Sequence, residues 1–237
     1  MSLIYFFAST RAEGRSVIPP AAAGNNRVEV FITGVGPGAA RRAAAKAMAG
    51  TRARSETPAA ILVIGTCGSL SAELPEGSVV IYSSCIPGHA ASGECNLTCS
   101  PLLITHMKQA LGGRGIAGKT VVGITRPTVA ARREDKLLLA SRGAQVVDME
   151  SYEILSVAGE RGVPAAVLRV VSDSLDRSLP DFTFKPSGSL NVLRTSRIVV
   201  GQPLTTVRLA LAQRRALRKL KEAVSVLLAA DILASQG

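Results

Sequence analysis

Short apolar runs alternate with amphipathic stretches along most of the chain. Residues 3–8 are apolar throughout and predict a buried first strand. Residues 27–33 alternate and are rich in β-branched side chains, which predicts a second strand. That strand runs into Gly34-Val35-Gly36-Pro37-Gly38 and then an Ala-rich helix over 39–49. A buried strand over 59–64 ends at a second glycine turn, Gly65-Thr66-Cys67-Gly68-Ser69. Further strands are expected at 77–82, 119–124, 144–149 and 163–171, the last apolar enough to be covered on both faces. Helices are expected at 102–111, 130–141 and 151–160, with Gly162 as a C-cap. Residues 85–101 and 176–190 read as loops, and 191–235 as helix with one break at Gly201-Gln202-Pro203. Alternating strands and helices imply an α/β fold, a three-layer α/β/α arrangement around a central mixed, largely parallel sheet. No repeat or linker divides the chain, so 1–237 reads as a single domain with 191–237 as its basic C-terminal helical segment.

Composition narrows this picture. Apolar residues make up 47% of the 237 positions and charged residues 19%, which is globular and not disordered. The formal net charge is +11, which suits an anionic partner. Aromatic residues are only 3%, however, too few for the stacking platforms of a nucleic-acid binder, so no nucleic-acid partner is expected. No run reaches the roughly 20 apolar residues of a membrane span. The N-terminal residues lack the charged start of a secretory leader, so cytoplasmic, reduced thiols are expected for Cys67, Cys85, Cys95 and Cys99. Cys95 and Cys99 with His89 and His106 lack a second cysteine pair, so no metal site is expected there.

The candidate chemistry lies at strand ends. Residues 144–173 read as strand, helix and strand, one right-handed crossover that would place Glu150 and Asp173 just past the two strands. Ligands of open α/β sheets bind at the carboxyl ends of strands. Two carboxylates there suit a reaction that builds positive charge on a sugar, or hydroxyl binding and proton donation; the alternative is polar helix-start and loop residues. The two glycine turns would let backbone approach a ribose or phosphate. The first lacks the third glycine of a dinucleotide fingerprint, because position 39 is Ala.

Taken together, Ala8-Ser9-Thr10-Arg11-Ala12-Glu13, Thr33-Gly34-Val35-Gly36, Gly65-Thr66-Cys67-Gly68, Val147-Asp148-Met149-Glu150-Ser151 and Arg169-Val170-Val171-Ser172-Asp173 resemble the nucleoside phosphorylase and nucleosidase superfamily. The resemblance implies the roles. Glu150 would hold the ribose hydroxyls with Met149 beneath the sugar, and Val147, Thr66, Cys67, Gly34 and Gly36 would line the substrate site. Asp173 would hydrogen-bond purine N7 and help protonate the leaving base, supported by Ser172, with Gly68 near base and sugar. Glu13 would activate the attacking water in the hydrolytic branch. No cofactor is implied, apart from phosphate as co-substrate should the chain be a phosphorylase.

Two features favour water over phosphate. Hexameric phosphorylases that this chain resembles carry an Arg shortly before the second glycine turn, whereas Leu62-Val63-Ile64 is apolar. Glu13 would also oppose an approaching phosphate; Arg41 and Arg42 are the remaining candidates to hold one. The tail, with Arg177-Ser178-Leu179-Pro180, Leu193-Arg194 and Gln202-Pro203-Leu204, resembles the hopanoid-associated branch, whose members remove adenine from adenosylhopane. An adenine nucleoside with a 5′ substituent is therefore expected, although the 125–129 segment lacks the aromatic residue that often stacks on adenine. Arg214, Arg215, Arg218, Lys219 and Lys221 beside Leu217, Leu220, Val224, Leu227 and Leu228 make a basic amphipathic helix, which would rest either on the sheet or on an anionic membrane. The resemblance also implies a homo-oligomer, a dimer or larger. A phosphorylase and a non-catalytic basic binding protein on the same fold are the alternatives.

Overall fold

A computed structural model describes residues 2–17, 27–54, 56–88, 95–179 and 203–230. These form eight strands, β1 (Leu3–Ala8), β2 (Arg27–Ile32), β3 (Ala60–Ser69), β4 (Val79–Pro87), β5 (Leu97–Thr98), β6 (Gly118–Thr125), β7 (Val146–Asp148) and β8 (Ala165–Asp173). The helices are α1 (Arg11–Gly14), α2 (Pro37–Arg54), α3 (Pro101–Gly112), α4 (Arg133–Ala140), α5 (Ser151–Glu160) and α6 (Pro203–Ala229). One sheet runs in the order β2-β1-β3-β7-β6-β4-β5, and β8 joins β3 to β4. It is mixed and largely parallel, with antiparallel pairing only at β3/β7, β4/β5 and β4/β8.

The apolar strands account for the layers. β1 is buried along its whole length, and its side chains alternate between two cores. Leu3, Tyr5 and Phe7 pack with Ala40, Ala44 and Met48 of α2 and Ile154 and Leu155 of α5. Ile4, Phe6 and Ala8 pack with Leu103 and Met107 of α3 and Ala216, Leu220 and Val224 of α6. The C-terminal helix thus lays its apolar face on the sheet and leaves Arg214, Arg215, Arg218 and Lys221 exposed. Among the described residues no helix is long and apolar enough to cross a membrane. The segments 89–94 and 180–202, which include His89, Leu193 and Arg194, lie outside the described residues.

Three expectations are corrected. First, the stretch Gly65–Gly68 is not a turn beyond a strand. It lies inside β3, because β8 supplies ladder partners from Gly65↔Arg169 to Cys67↔Val171, and pairing overrides the preference of glycine for turns. Second, β4 continues through Cys85 to Pro87, within the expected loop, because β6 pairs with it along that length. Third, the segment 144–173 is not a parallel crossover. β7 runs antiparallel to β3 and β8 runs parallel to it, so these two strands flank β3 in opposite directions. The three-residue β7 reaches only β6 and the tip of β3, and the chain crosses by α5 to the other edge of β3. Glu150 and Asp173 still converge, because Gly68 is aligned with Val147 on one side and Asp173 on the other.

Candidate active site

A cavity of about 650 Å³ opens where β1, β3, β7 and β8 end. Glu13, Thr66, Cys67, Gly68, Val147, Met149, Glu150, Ser172 and Asp173 all line it. Of the expected residues, Gly34 and Gly36 stand outside the wall; Val35 between them lines it instead. A wider groove of about 890 Å³ between α1, β2 and α6 has Arg11, Arg15, Arg218 and Lys221 but no carboxylate, so it lacks the acids that mark the cavity.

Glu13 is set by local helix chemistry. Thr10 is the N-cap of α1, its hydroxyl accepting from the Glu13 amide, and the Glu13 carboxylate returns to the Thr10 amide. Oε2 accepts from Ser9 Oγ at 2.5 Å, Thr10 N at 2.9 Å and Thr10 Oγ1 at 2.9 Å. Oε1 accepts from Thr66 N at 2.9 Å and from the Thr66 hydroxyl at 3.2 Å. The α6 side chain Gln213 donates to that hydroxyl at 3.2 Å, so the C-terminal helix closes this end of the cavity. Gly65 makes the close approach possible: a Cβ there would collide with Arg169 Nη1 and stand 2.8 Å from Glu13 Oε1.

Glu150 begins α5. Its Oε1 accepts from the Gly36 amide at 2.9 Å, and Gly36 sits at φ 99, a conformation that glycine adopts without strain. The glycines of the first turn therefore contribute backbone, and Val35 between them the pocket surface. Burial pushes the Glu150 carboxyl up to about 7, against the pull of Arg169, whose Nη2 lies 3.5 Å from Oε2. The neighbouring Asp148 behaves oppositely. Burial disfavours its charge, but Arg169 and hydrogen bonds from Ser151 and Thr125 outweigh burial and hold it below the usual range. Asp148 accepts from Thr125 Oγ1 at 2.7 Å, the amides of Glu150 and Ser151 at 3.0 Å, and Tyr82 Oη at 2.9 Å. Gly123 makes room for Tyr82, because a Cβ there would overlap its ring.

Arg169 lies beneath the floor, 1% exposed, and donates to Ser151 Oγ at 3.0 Å and Thr66 O at 3.3 Å. Asp173 ends β8. Its Oδ1 accepts from Ser172 Oγ at 2.9 Å, and its Oδ2 pairs with Lys136 Nζ of α4 at 2.6 Å. Cys67 lines the cavity, but burial pushes its thiol well up, which keeps it from being a thiolate nucleophile. Cys85 and Cys99 are buried and Cys95 is exposed, all as free thiols. Among the described residues, no cluster of three or more His, Cys, Asp or Glu could hold a metal ion. Arg41 forms ion pairs with Glu153 and Glu160 of α5, away from the cavity.

Sequence reasoning missed Arg169, Lys136, Asp148 and Gln213. Lys136 had a signal: with Leu139 it forms the buried face of α4, a charge in apolar phase. Thr10-x-x-Glu13 also has the spacing of a capping box. Arg169, inside an apolar strand, was visible as an anomaly but without an address.

A family model described as the phosphorylase superfamily matches residues 11–201. The chain belongs to this superfamily. Its fold recurs in solved structures. Futalosine hydrolase of Helicobacter pylori, as a mutant, superposes with a TM-score of 0.73 at 15% identity, covering 96% of this chain and 98% of that one. The 5′-methylthioadenosine/S-adenosylhomocysteine nucleosidase of Neisseria meningitidis, in complex with methylthio-immucillin-A, gives 0.73 at 15% identity, with coverages of 97% and 99%. The corresponding nucleosidase of Helicobacter pylori gives 0.72 at 17% identity, with coverages of 94% and 96%. No curated protein matches the chain.

Proposed function

We propose that the chain hydrolyses the N-glycosidic bond of an adenine nucleoside carrying an apolar 5′ substituent. The observation that carries this reading is the charge of the cavity wall. Four carboxylates line it, those of Glu13, Asp148, Glu150 and Asp173, against a single lining cation among the described residues, Arg11. Arg169 and Lys136 are buried and already bonded to these acids, so neither is available to a phosphate dianion. Even with these two cations counted the acids stay in excess, and the wall leaves phosphate no unbonded cation but Arg11, which favours water and a cationic sugar.

The chemistry assigns one task to each acid. Glu150 accepts the ribose hydroxyls above Met149. Glycosidic cleavage develops an oxocarbenium-like sugar, which the fixed carboxylates stabilise. Asp173, steadied by Ser172, attends N7 as the base departs with the bonding pair. Water enters beside Glu13 Oε1, replacing the longer bond from the Thr66 hydroxyl; its oxygen bonds to C1′ as the C1′–N9 bond breaks, and its proton goes to Glu13. Ile32, Val35, Val129, Leu179, Leu209 and Ala210 line the same cavity and favour an apolar 5′ group. Adenosylhopane, implied by the resemblance of the tail, is the substrate of that kind to try first. The fold-sharing proteins named for 5′-methylthioadenosine and S-adenosylhomocysteine support a 5′-substituted adenine nucleoside in general.

The test is base release from adenosine, methylthioadenosine, S-adenosylhomocysteine and adenosylhopane, with and without phosphate. Free adenine and a reducing sugar without phosphate are expected. Adenine released only with phosphate, together with a sugar 1-phosphate, would make the chain a phosphorylase.

A further inference from the structure

We propose that Lys136 is a positioning residue for departure of the base, acting through Asp173. This rests on the hydrolytic reading above, in which Asp173 attends purine N7. Lys136 is a fully buried lysine on α4, 0% exposed. A lysine ammonium has three N–H donors. Here they meet three acceptors: Asp173 Oδ2 at 2.6 Å, Ser174 O at 2.6 Å and Arg177 O at 3.1 Å. With all its donors engaged and no place in the cavity wall, Lys136 has nothing left to offer a ligand.

What it fixes is the geometry of the acid. Lys136 holds Oδ2, Ser172 holds Oδ1, and the carboxylate lies over Gly68, where a Cβ would stand 3.0 Å from Oδ2. The two carbonyl bonds tie the segment after β8 to the same ammonium, so the end of β8 and its carboxylate are set together. A buried carboxylate stripped of its counter-charge reorients or takes up a proton elsewhere. In the reaction the C1′–N9 bond breaks, its pair goes to the base, and N7 takes a proton that reaches it from solvent through Asp173. Lys136 neither gains nor loses a proton; it holds the relay oxygen in place.

A substrate whose base leaves without a proton separates this role from simple structural support. N7-methylated purine ribosides carry a fixed positive charge on the base and need no acid. For Lys136→Met, kcat on the adenine nucleoside should fall about 100-fold, within the range of general-acid catalysis, with KM changed far less. Turnover of the N7-methylated riboside should stay within about threefold of the wild type. Lys136→Arg should recover part of the loss. Equal losses on both substrates, or no loss on either, would overturn the proposal.

Should Lys136→Met fold poorly alone, the same change is made in Asp173→Asn, where the charge partner is also removed. There Lys136→Met should cost less than about threefold in kcat, because the group it acts through is gone. An undiminished loss in that background would overturn the proposal. The parent reading fails differently, by wild-type protein releasing no base from any purine nucleoside or only with phosphate.

Discussion

The two ends of the cavity hold their acids in different ways. At the sugar end, Glu13 takes five donors from three residues, and Glu150 takes a backbone amide and a distant guanidinium. At the base end, Asp173 has two side-chain partners, Ser172 and Lys136, and no backbone amide among its described hydrogen bonds. The sugar end is thus redundant and anchored to backbone. The base end depends on one buried lysine from a separate helix. Glu150 only holds hydroxyls and charge, and Glu13, which takes a proton from water, gives up only its longest bond, that from the Thr66 hydroxyl, so many fixed dipoles can anchor the sugar end. A group that passes a proton needs an oxygen whose lone pair is still open to the substrate.

Several substitutions would break or sharpen that contrast. Asp173→Asn should have the largest effect, lowering kcat for adenine release about 10³-fold, measured by steady-state kinetics. Arg169→Met removes the cation shared by Asp148 and Glu150 and should destabilise the fold by about 3–5 kcal/mol in urea denaturation. A loss under 1 kcal/mol would mean that the two acids do not depend on it.

Glu150 gives a pH signature. It must be ionised to accept the ribose hydroxyls, so kcat/KM should fall about tenfold per unit as pH drops below about 7. Stability has the opposite sense. The folded carboxyl titrates near 7 and the unfolded one near 4.5, so between these values the folded state holds more protons. Stability from this group therefore declines as pH rises through that window, by at most about 3 kcal/mol. Glu150→Gln should remove this decline and melt higher than the wild type at pH 8; a lower melting temperature would contradict the shift.

Thr66→Val deletes one of the five donors to Glu13 and one contact to Gln213. It should cost about 1 kcal/mol and less than tenfold in kcat. A loss as large as that of Lys136→Met would show that the sugar end is not redundant. Smallest of all, Arg41→Ala breaks exposed pairs with Glu153 and Glu160 and should change stability by under about 1 kcal/mol, with activity unchanged. Loss of activity there would revive Arg41 as a phosphate ligand.

The chain's own pattern was enough for the layers. Strands such as β1, apolar on both faces, must be covered on both, and α2 and α6 carry matching apolar stripes. Glu150 and Asp173 were legible because each follows an expected strand, and Glu13 through the family resemblance; the three meet in one cavity. Strand direction was not legible. Periodicity records burial and carries no sign of parallel or antiparallel pairing, so β7 and β8 looked like a crossover. Nor was the glycine stretch in β3, where local preference said turn and a neighbouring ladder made it strand.

The sequence by itself determined which residues are apolar, which carry charge and where strands give way to helices. Only the tertiary structure decided the partners: Arg169 under Glu150, Lys136 on Asp173, Gln213 on Thr66. These contacts span 19, 37 and 147 positions, and no local pattern encodes them. A buried charge is tolerated only where the fold brings it a counter-charge or enough hydrogen-bond partners, and that is settled when the layers close.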